Sequence, residues 1–212
     1  MKEDYITKIK DAERRFFAPQ LELRAAEEGK ESRTIRGYAA LFNSDSESFG
    51  SWIERIAPGA FDEVLDDDTV ALFNHDPNLI LARNKKTLKM GVDSKGLWYE
   101  FEAPRTTAGN DLLENVRVEN VKSSSFAFQT KEVKWTFSED RNQPDIRTIV
   151  KLERLLDVSP VTYPAYPDTT VATRSYQQLL VEEEGSELTR AEAAAGDHQR
   201  ADDQDDALRE HT

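Results

Sequence analysis

Short alternating runs of apolar and polar residues fill the middle of the chain and constrain its fold more than any other feature. Between residue 33 and about residue 175 lie most of the aromatic and β-branched residues, in runs such as TIRGYAALFN and TVALFNH that turn-forming residues separate. Runs of this kind are typical of strands. KTLKMGVDSKGLWYEFEAP predicts a hairpin with its turn at residues 93–96, and KSSSFAFQTKEVKWTF predicts a long strand. We therefore expect a mainly β fold with flanking helices (α+β), built as a closed β-barrel or a strongly bent sheet.

Helical signals are fewer. PGAFDEVLDD predicts a short helix entered through Pro58, and TAGNDLLENVRVENV predicts a longer amphipathic one. Residues 4–17 carry apolar side chains at roughly helical spacing, which fits either an amphipathic helix or a partner-docking arm. We expect three regions: a partly helical N-terminal arm over residues 1–32, a folded domain over residues 33–178, and a tail over residues 179–212.

The tail carries most of the negative charge. From Val181 onward, eleven acidic residues and three arginines give −8 of the chain's net charge of −13. This segment has too few large apolar residues to offset its ordering entropy, so we predict an acidic, disordered or transiently helical tail. No basic stripe suggests nucleic-acid binding. No run of about 18 apolar residues and no signal-peptide core is present, so we expect a soluble, intracellular protein without membrane contact.

Missing residue types exclude several chemistries. The chain has no cysteine, which rules out a thiol nucleophile, a disulfide scaffold and a cysteine zinc site. His75, in ALFNHDPN, is the only histidine before residue 198. Carboxylates alone would suit magnesium or calcium better than zinc, and we expect neither a metal nor a cofactor. His75 is thus the one imidazole in the body that could transfer protons near neutral pH.

Alternation along two predicted strands separates their side chains into faces. On the first strand, Ser125 faces away from the two core phenylalanines; one face holds Ser123, Ser125 and Ala127, and the other holds Ser124, Phe126 and Phe128. On the strand before SPVTYPAYP, one face holds Val150, Leu152, Leu156 and Val158, and the other holds Glu153, Leu155, Asp157 and Ser159. A histidine, a serine and a carboxylate are the parts of a nucleophilic triad. Each also has an ordinary structural interpretation, as a hydrogen-bonded turn residue, a solvated strand edge and a surface acid.

The order of four motifs resembles the prohead maturation protease family of tailed bacteriophages. These motifs are ALFNHDPN, the hairpin KGLWYEFEAP, a helix running into SSSFAF, and LLDVSPVTYPAYPDTTVA, and the resemblance covers roughly residues 33–173. That family is similar in fold to the herpesvirus assemblins, serine proteases built on a bent β-barrel with surrounding helices. The resemblance implies a herpesvirus-assemblin-like fold and a prohead protease domain over residues 33–178.

The resemblance also implies roles for individual residues. His75 would be the general base and Ser125 the nucleophile, with Ser123 as its alternate. Asp157 would be the third member, although many relatives would have Glu there, and Glu153 is its alternate. The shorter Asp side chain requires a closer approach of the strands by about one methylene. Donors for an oxyanion hole leave no sequence signature, and Arg83 and Arg174 are the possible neighbours.

Partners follow from the same resemblance. They would be the major capsid protein with its scaffolding segment or a separate scaffold protein, and the protease itself, through autoprocessing and a possible homodimer. The enzyme would act in the cytoplasm of the bacterial host, packaged inside the immature capsid. Two other functions remain open: a catalytically inactive scaffold protein on the same fold, and a glycosidase that uses Asp66 and Asp67, or Glu153 and Asp157, as paired carboxylates.

Overall fold

The structure, a computed structural model, describes residues 12–24, 32–140, 142–163, 176–178 and 180–181. The chain forms two units, residues 1–168 and residues 169–212. In the second unit the described residues are helical. The rest of the predicted tail lies outside the described residues.

The first unit is mainly β, as predicted. Its strands are β1 (Glu13–Leu23), β2 (Thr34–Leu41), β3 (Trp52–Ile56), β4 (Val70–Phe73), β5 (Asp76–Arg83), β6 (Leu88–Val92), β7 (Gly96–Glu102), β8 (Ser123–Thr136) and β9 (Asp145–Val161). One helix, α1 (Thr107–Arg117), lies between β7 and β8. No helix among the described residues combines the length and the apolar character needed to cross a membrane.

The strands form two sheets that share β1. They pair in the order β5-β4-β9-β8-β1-β2-β7-β6, and β3 pairs in parallel with β9. The strands at the two ends of this path, β5 and β6, are joined only by a single bridge between Asn84 and Leu88. Because closure requires a continuous ladder between the end strands, neither sheet closes into a barrel. The closed-barrel prediction is therefore wrong.

β1 replaces part of the helix that was predicted over residues 4–17. Residues 13–17 are extended, and Glu13 pairs with Phe128 and Arg15 with Phe126 of β8. Glu13 and Arg15 are both buried, so the side chains alternate as in a strand and the helical spacing of the apolar residues is incidental. Residues 4–11 lie outside the described part of the chain.

The predicted short helix after Pro58 is also wrong. Residues 58–66 form consecutive turns, and Gly59 has a φ of 87°, which a right-handed helix does not allow. Phe61 and Val64 are nevertheless buried in the core. The apolar spacing that resembled a helix therefore belongs to a turn segment, which buries the same apolar side chains in the core.

The hairpin and the second helix agree with the predictions. β6 and β7 pair from Leu88↔Phe101 to Val92↔Leu97. The Asp93 carboxylate accepts hydrogen bonds from the N–H groups of Lys95 and Gly96 in the turn. α1 begins after Thr106, whose hydroxyl accepts a hydrogen bond from the Gly109 N–H, and it buries Leu112, Leu113 and Val116.

The core fixes one face of β8, as predicted. Phe126 and Phe128 are fully buried, and the Phe126 ring packs edge-on against Phe61. Ser124, on the same face, shares a 2.7 Å hydrogen bond with the hydroxyl of Tyr99. Burial raises the pKa of Tyr99, so this phenol stays protonated. Ser125 therefore faces away from the aromatic core.

A β-bulge in β9 overturns part of the predicted faces there. Asp157 pairs with Ala127 of β8, whereas Leu155 pairs with Phe128, so Leu156 is an extra residue. Leu155 consequently packs in the core, while Asp157 lies on the same side as Ser125, where both contact His75. Leu155 and Asp157 had been predicted to share one face of the strand. Alternation cannot reveal an inserted residue, because the pattern on each side of it is intact.

Candidate active site

His75 lies in the two-residue loop that joins β4 to β5. Phe73 pairs with Asp76, so Asn74 and His75 are the loop residues, with φ values of 55° and 59°. Two positive φ values are typical of a type I′ turn, in which Asn followed by Gly is the favoured sequence. Histidine at the second position costs about 1 kcal/mol or more of backbone strain. Such strain at a non-glycine residue points to a function for the side chain.

Hydrogen bonds attach this loop to the end of β9. The Asn74 N–H donates to the carbonyl of Pro160 at 3.0 Å, and the Thr162 N–H donates to Asn74 Oδ1 at 2.8 Å. β4 also pairs in parallel with β9, with Val70 opposite Asp157. The loop is therefore fixed at both its backbone and its side chain, and His75 is held beside the strand that carries Asp157.

The His75 ring lies between a carboxylate and a hydroxyl. Nδ1 is 2.7 Å from Asp157 Oδ1, and Nε2 is 2.8 Å from Ser125 Oγ. Ser125 and Asp157 are on the adjacent strands β8 and β9. The side chains of His75 and Asp157 are each 8% exposed, and Ser125 is fully buried. Both contacts are within hydrogen-bonding distance and largely shielded from solvent.

The Ser125 hydroxyl has two acceptors within reach. Oγ is 3.0 Å from the carbonyl of Arg15 in β1, in addition to its contact with His75. One hydroxyl proton serves one acceptor at a time. With a neutral ring and its proton on Nδ1 toward Asp157, Ser125 donates to Nε2. If Ser125 donates to Arg15 instead, Nε2 must itself carry a proton for the 2.8 Å contact to be a hydrogen bond.

Ser159 supports the carboxylate. Its hydroxyl donates to Asp157 Oδ1 at 2.6 Å, and Ser159 is fully buried. It lies opposite Ser125 on the neighbouring strand. Alternation predicts the same face for Ser159 and Asp157, but Ser159 was assigned no function; the shared face was the available signal. Asn74 and Arg15 were also missed, because their contacts depend on long-range pairing.

A buried ionic cluster lies beside the Ser125 contact. It consists of Glu13, Arg15, Glu54 and Arg147, which come from β1, β3 and β9 and are each at most 4% exposed. Arg15 binds Glu13 and Glu54, and Arg147 binds the same two carboxylates. Burial alone would raise the pKa of Glu13, but the charges of Arg15 and Arg147 outweigh it and hold the pKa below its usual value of 4.5. The cluster therefore fixes β1 where the Arg15 carbonyl meets Ser125.

The other predicted residues are not brought to His75. Glu153 is exposed, with its charge close to Lys131. Ser123, two residues from Ser125 on β8, makes no hydrogen bond to His75 among the described residues. Asp66 pairs with Lys85, and Asp67 accepts a hydrogen bond from the Leu155 N–H. Arg83 lines a cavity beside His75, and Arg174 lies outside the described residues. Among the described residues, no group of three or more His, Asp or Glu side chains could hold a metal ion.

A serine, a histidine and a carboxylate in this sequence of contacts form the arrangement that serine hydrolases use to activate a hydroxyl. A family model described as the caudovirus prohead serine proteases matches residues 19–182. The chain belongs to this family, and the resemblance predicted from the four motifs is confirmed. No curated protein and no solved structure matches the chain.

Proposed function

We propose that the chain is a serine endopeptidase of phage capsid maturation, with Ser125 as nucleophile, His75 as general base and Asp157 as the residue that orients His75. The observation that carries this proposal is the position of the His75 ring, 2.8 Å from Ser125 Oγ and 2.7 Å from Asp157 Oδ1. Family membership supports the same reaction class. The two-sheet fold would be an open relative of the assemblin barrel.

In the proposed mechanism Ser125 Oγ attacks the carbonyl carbon of a peptide bond while His75 Nε2 takes the hydroxyl proton. Asp157 accepts the Nδ1–H and stabilises the imidazolium that forms. The imidazolium then protonates the leaving amine, which departs and leaves an acyl-enzyme. Water, deprotonated by His75, hydrolyses this ester and restores Ser125. Attack requires the carbonyl carbon to come within about 3–3.5 Å of Oγ, so a group that covers the buried Ser125 must move when the peptide binds.

The proposed substrates are the scaffolding segment of the major capsid protein or a separate scaffold protein, and the enzyme itself, inside the prohead in the host cytoplasm. A homodimer is the proposed assembly. These substrates and this location rest on the family alone.

A covalent probe tests the nucleophile. Wild type, Ser125→Ala and Ser123→Ala are incubated with a fluorophosphonate, and the adduct is located by intact and tryptic mass spectrometry. We expect one adduct, on Ser125, in wild type and Ser123→Ala, and none in Ser125→Ala. Intact masses recorded without the probe report self-cleavage, whose rate should fall about 10⁴-fold or more in Ser125→Ala. An adduct on Ser123, or none in wild type, contradicts the proposal, and the second result favours an inactive scaffold protein.

A further inference from the structure

Two cavities are lined in part by His75. The first, of about 550 Å³, is lined by His75 and Asp157 together with an apolar wall of Val70, Leu72, Pro77, Ile80, Ala127 and Leu156. The second, of about 500 Å³, is lined by His75, Asn74, Val161, Thr162 and Tyr163. Both volumes are within the range of ligand-binding pockets. A peptide that crosses His75 would extend into both cavities.

Each cavity contains an exposed large apolar side chain. Ile80 is 51% exposed in the first cavity and Tyr163 is 80% exposed in the second. The described residues include only three other large apolar side chains with comparable exposure. Exposed apolar side chains that line a cavity gain free energy when an apolar ligand group covers them. The walls therefore favour an apolar side chain in the ligand.

The described residues that line the first cavity include three aspartates and three arginines, but not every arginine is paired with a carboxylate. Three carboxylates line the first cavity, and each has a partner: Asp68 binds Arg83, Asp67 accepts from the Leu155 N–H, and Asp157 contacts His75. None of the described residues that line the second cavity is acidic. Two cations that line the first cavity, Arg14 and Arg154, have no carboxylate partner among the described residues, and Arg14 lines the second cavity as well.

Arg14 gives the stronger indication. It lines both cavities, and no described carboxylate pairs with it. A ligand carboxylate in either cavity would pair with this guanidinium and neutralise its charge. Arg14 also lies close to Ser125, because the carbonyl of the next residue, Arg15, contacts Ser125 Oγ.

We infer that the cavities beside His75 form a substrate site for an acidic peptide, in which an apolar side chain occupies the wall around Ile80 and adjacent carboxylates bind Arg14 and Arg154. This inference names the substrate class of the proposed protease and rests on that function. The chain itself contains such a sequence, LLVEEE at residues 179–184. Its synthetic peptide is therefore a suitable probe.

The test measures binding, not cleavage. Ser125→Ala protein is titrated against three fluorescein-labelled peptides by anisotropy: YQQLLVEEEGSE (residues 176–187), the same peptide with its three consecutive Glu replaced by Gln, and the same peptide with Leu-Leu-Val replaced by Ser. We expect the first to bind about tenfold more tightly than either of the others. In the Arg14→Gln, Arg154→Gln double variant the difference between the Glu and Gln peptides should disappear. It should persist in Arg117→Gln, which removes one exposed cation from α1, away from both cavities.

Three results overturn the inference: equal affinity for the Glu and Gln peptides, a Glu preference that survives in the double variant, or no binding of any peptide. Circular dichroism checks that each variant is folded. The fluorophosphonate experiment uses no peptide. If Ser125 is labelled but the Glu peptide is not preferred, the inferred substrate site is wrong and the proposed protease function stands. If the Glu peptide is preferred but Ser125 is not labelled, the proposed protease function is wrong and the cavities are a peptide-binding site.

Discussion

At the scale of single residues, His75 combines a strained backbone conformation with two specific side-chain contacts. A glycine would adopt its φ of 59° without strain, yet only an imidazole can contact both Ser125 and Asp157. Asn74 reduces the strain of the loop, because asparagine tolerates the left-handed region and its side chain binds the Thr162 backbone. The sequence therefore has a poor turn former at the position that makes these two contacts.

Asp157→Asn tests whether Asp157, rather than its alternate Glu153, orients His75. The amide would present an N–H or a weaker acceptor to Nδ1, which favours the wrong tautomer of His75 and removes the charge that stabilises the imidazolium. We expect kcat for peptide cleavage to fall by about 10³- to 10⁴-fold with the fold intact. The matched control is Glu153→Gln, an exposed carboxylate on the same strand, which should leave kcat unchanged. A large loss in Glu153→Gln with an active Asp157→Asn would reverse the two assignments.

Two of the three contacting residues have a local signal in the sequence. His75 is the only histidine in the body, and Ser125 is distinguished from Ser124 by its alternation with Phe126 and Phe128. The choice of Asp157 over Glu153 came from the resemblance. The second acceptor of Ser125, the Arg15 carbonyl, was not predictable: a backbone carbonyl has no residue type, and it reaches Ser125 through a pairing 110 residues apart.

At the scale of secondary-structure elements, strands with regular alternation were predictable and irregular segments were not. The β6–β7 hairpin and the first half of β8, from Ser123 to Phe128, follow their apolar patterns. β1 does not, because its buried side chains at Glu13 and Arg15 are charged and become favourable inside the protein only through partners on β3 and β9. A sequence pattern assigns charged residues to the surface, so the strand was mistaken for a helical arm.

The ionic cluster that anchors β1 should respond strongly to the loss of one partner. Glu54 is fully buried and binds both Arg15 and Arg147. Glu54→Gln would leave two guanidinium groups with a single carboxylate, and we expect the free energy of unfolding to fall by about 3–5 kcal/mol. Urea unfolding at neutral pH measures this change. The control is Glu114→Gln, which breaks an exposed pair with Arg117 on α1 and should change stability by only about 0.5 kcal/mol. A similar small change in Glu54→Gln would show that the cluster does not hold β1.

At the scale of the whole molecule, the site depends on a strand that lies partly ahead of the segment matched by the family model. The match begins at residue 19, within β1, whereas Glu13 and Arg15 precede it. Through these two residues β1 is bound to β3, β8 and β9, and β1 also pairs with β2 in the second sheet. The cluster therefore stabilises the junction of the two sheets as well as the contact with Ser125.

This junction should make the stability of the molecule sensitive to acid. The pKa of Glu13 lies below 4.5 in the folded protein because of Arg15 and Arg147, despite the opposing effect of burial, and near 4.5 in the unfolded chain. The unfolded state thus takes up a proton first as the pH falls. The stabilisation from the ionised carboxylate is complete above about pH 4.5 and is lost as the pH falls through the folded-state pKa.

Glu13→Gln separates this effect from general acid denaturation. At pH 7 wild type should be the more stable protein, since its carboxylate neutralises the buried arginines. As the pH falls below 4.5 the unfolded wild type takes up a proton first, and the folded carboxyl becomes neutral, and close in shape to the glutamine amide, only below its own lower pKa. The difference in unfolding free energy should therefore narrow as the pH falls below 4.5. Urea unfolding of both proteins across this range measures it. A difference that stays constant from pH 7 to pH 3 would mean that Glu13 does not ionise differently in the folded and unfolded states, and that the junction of the two sheets is held by packing rather than by charge.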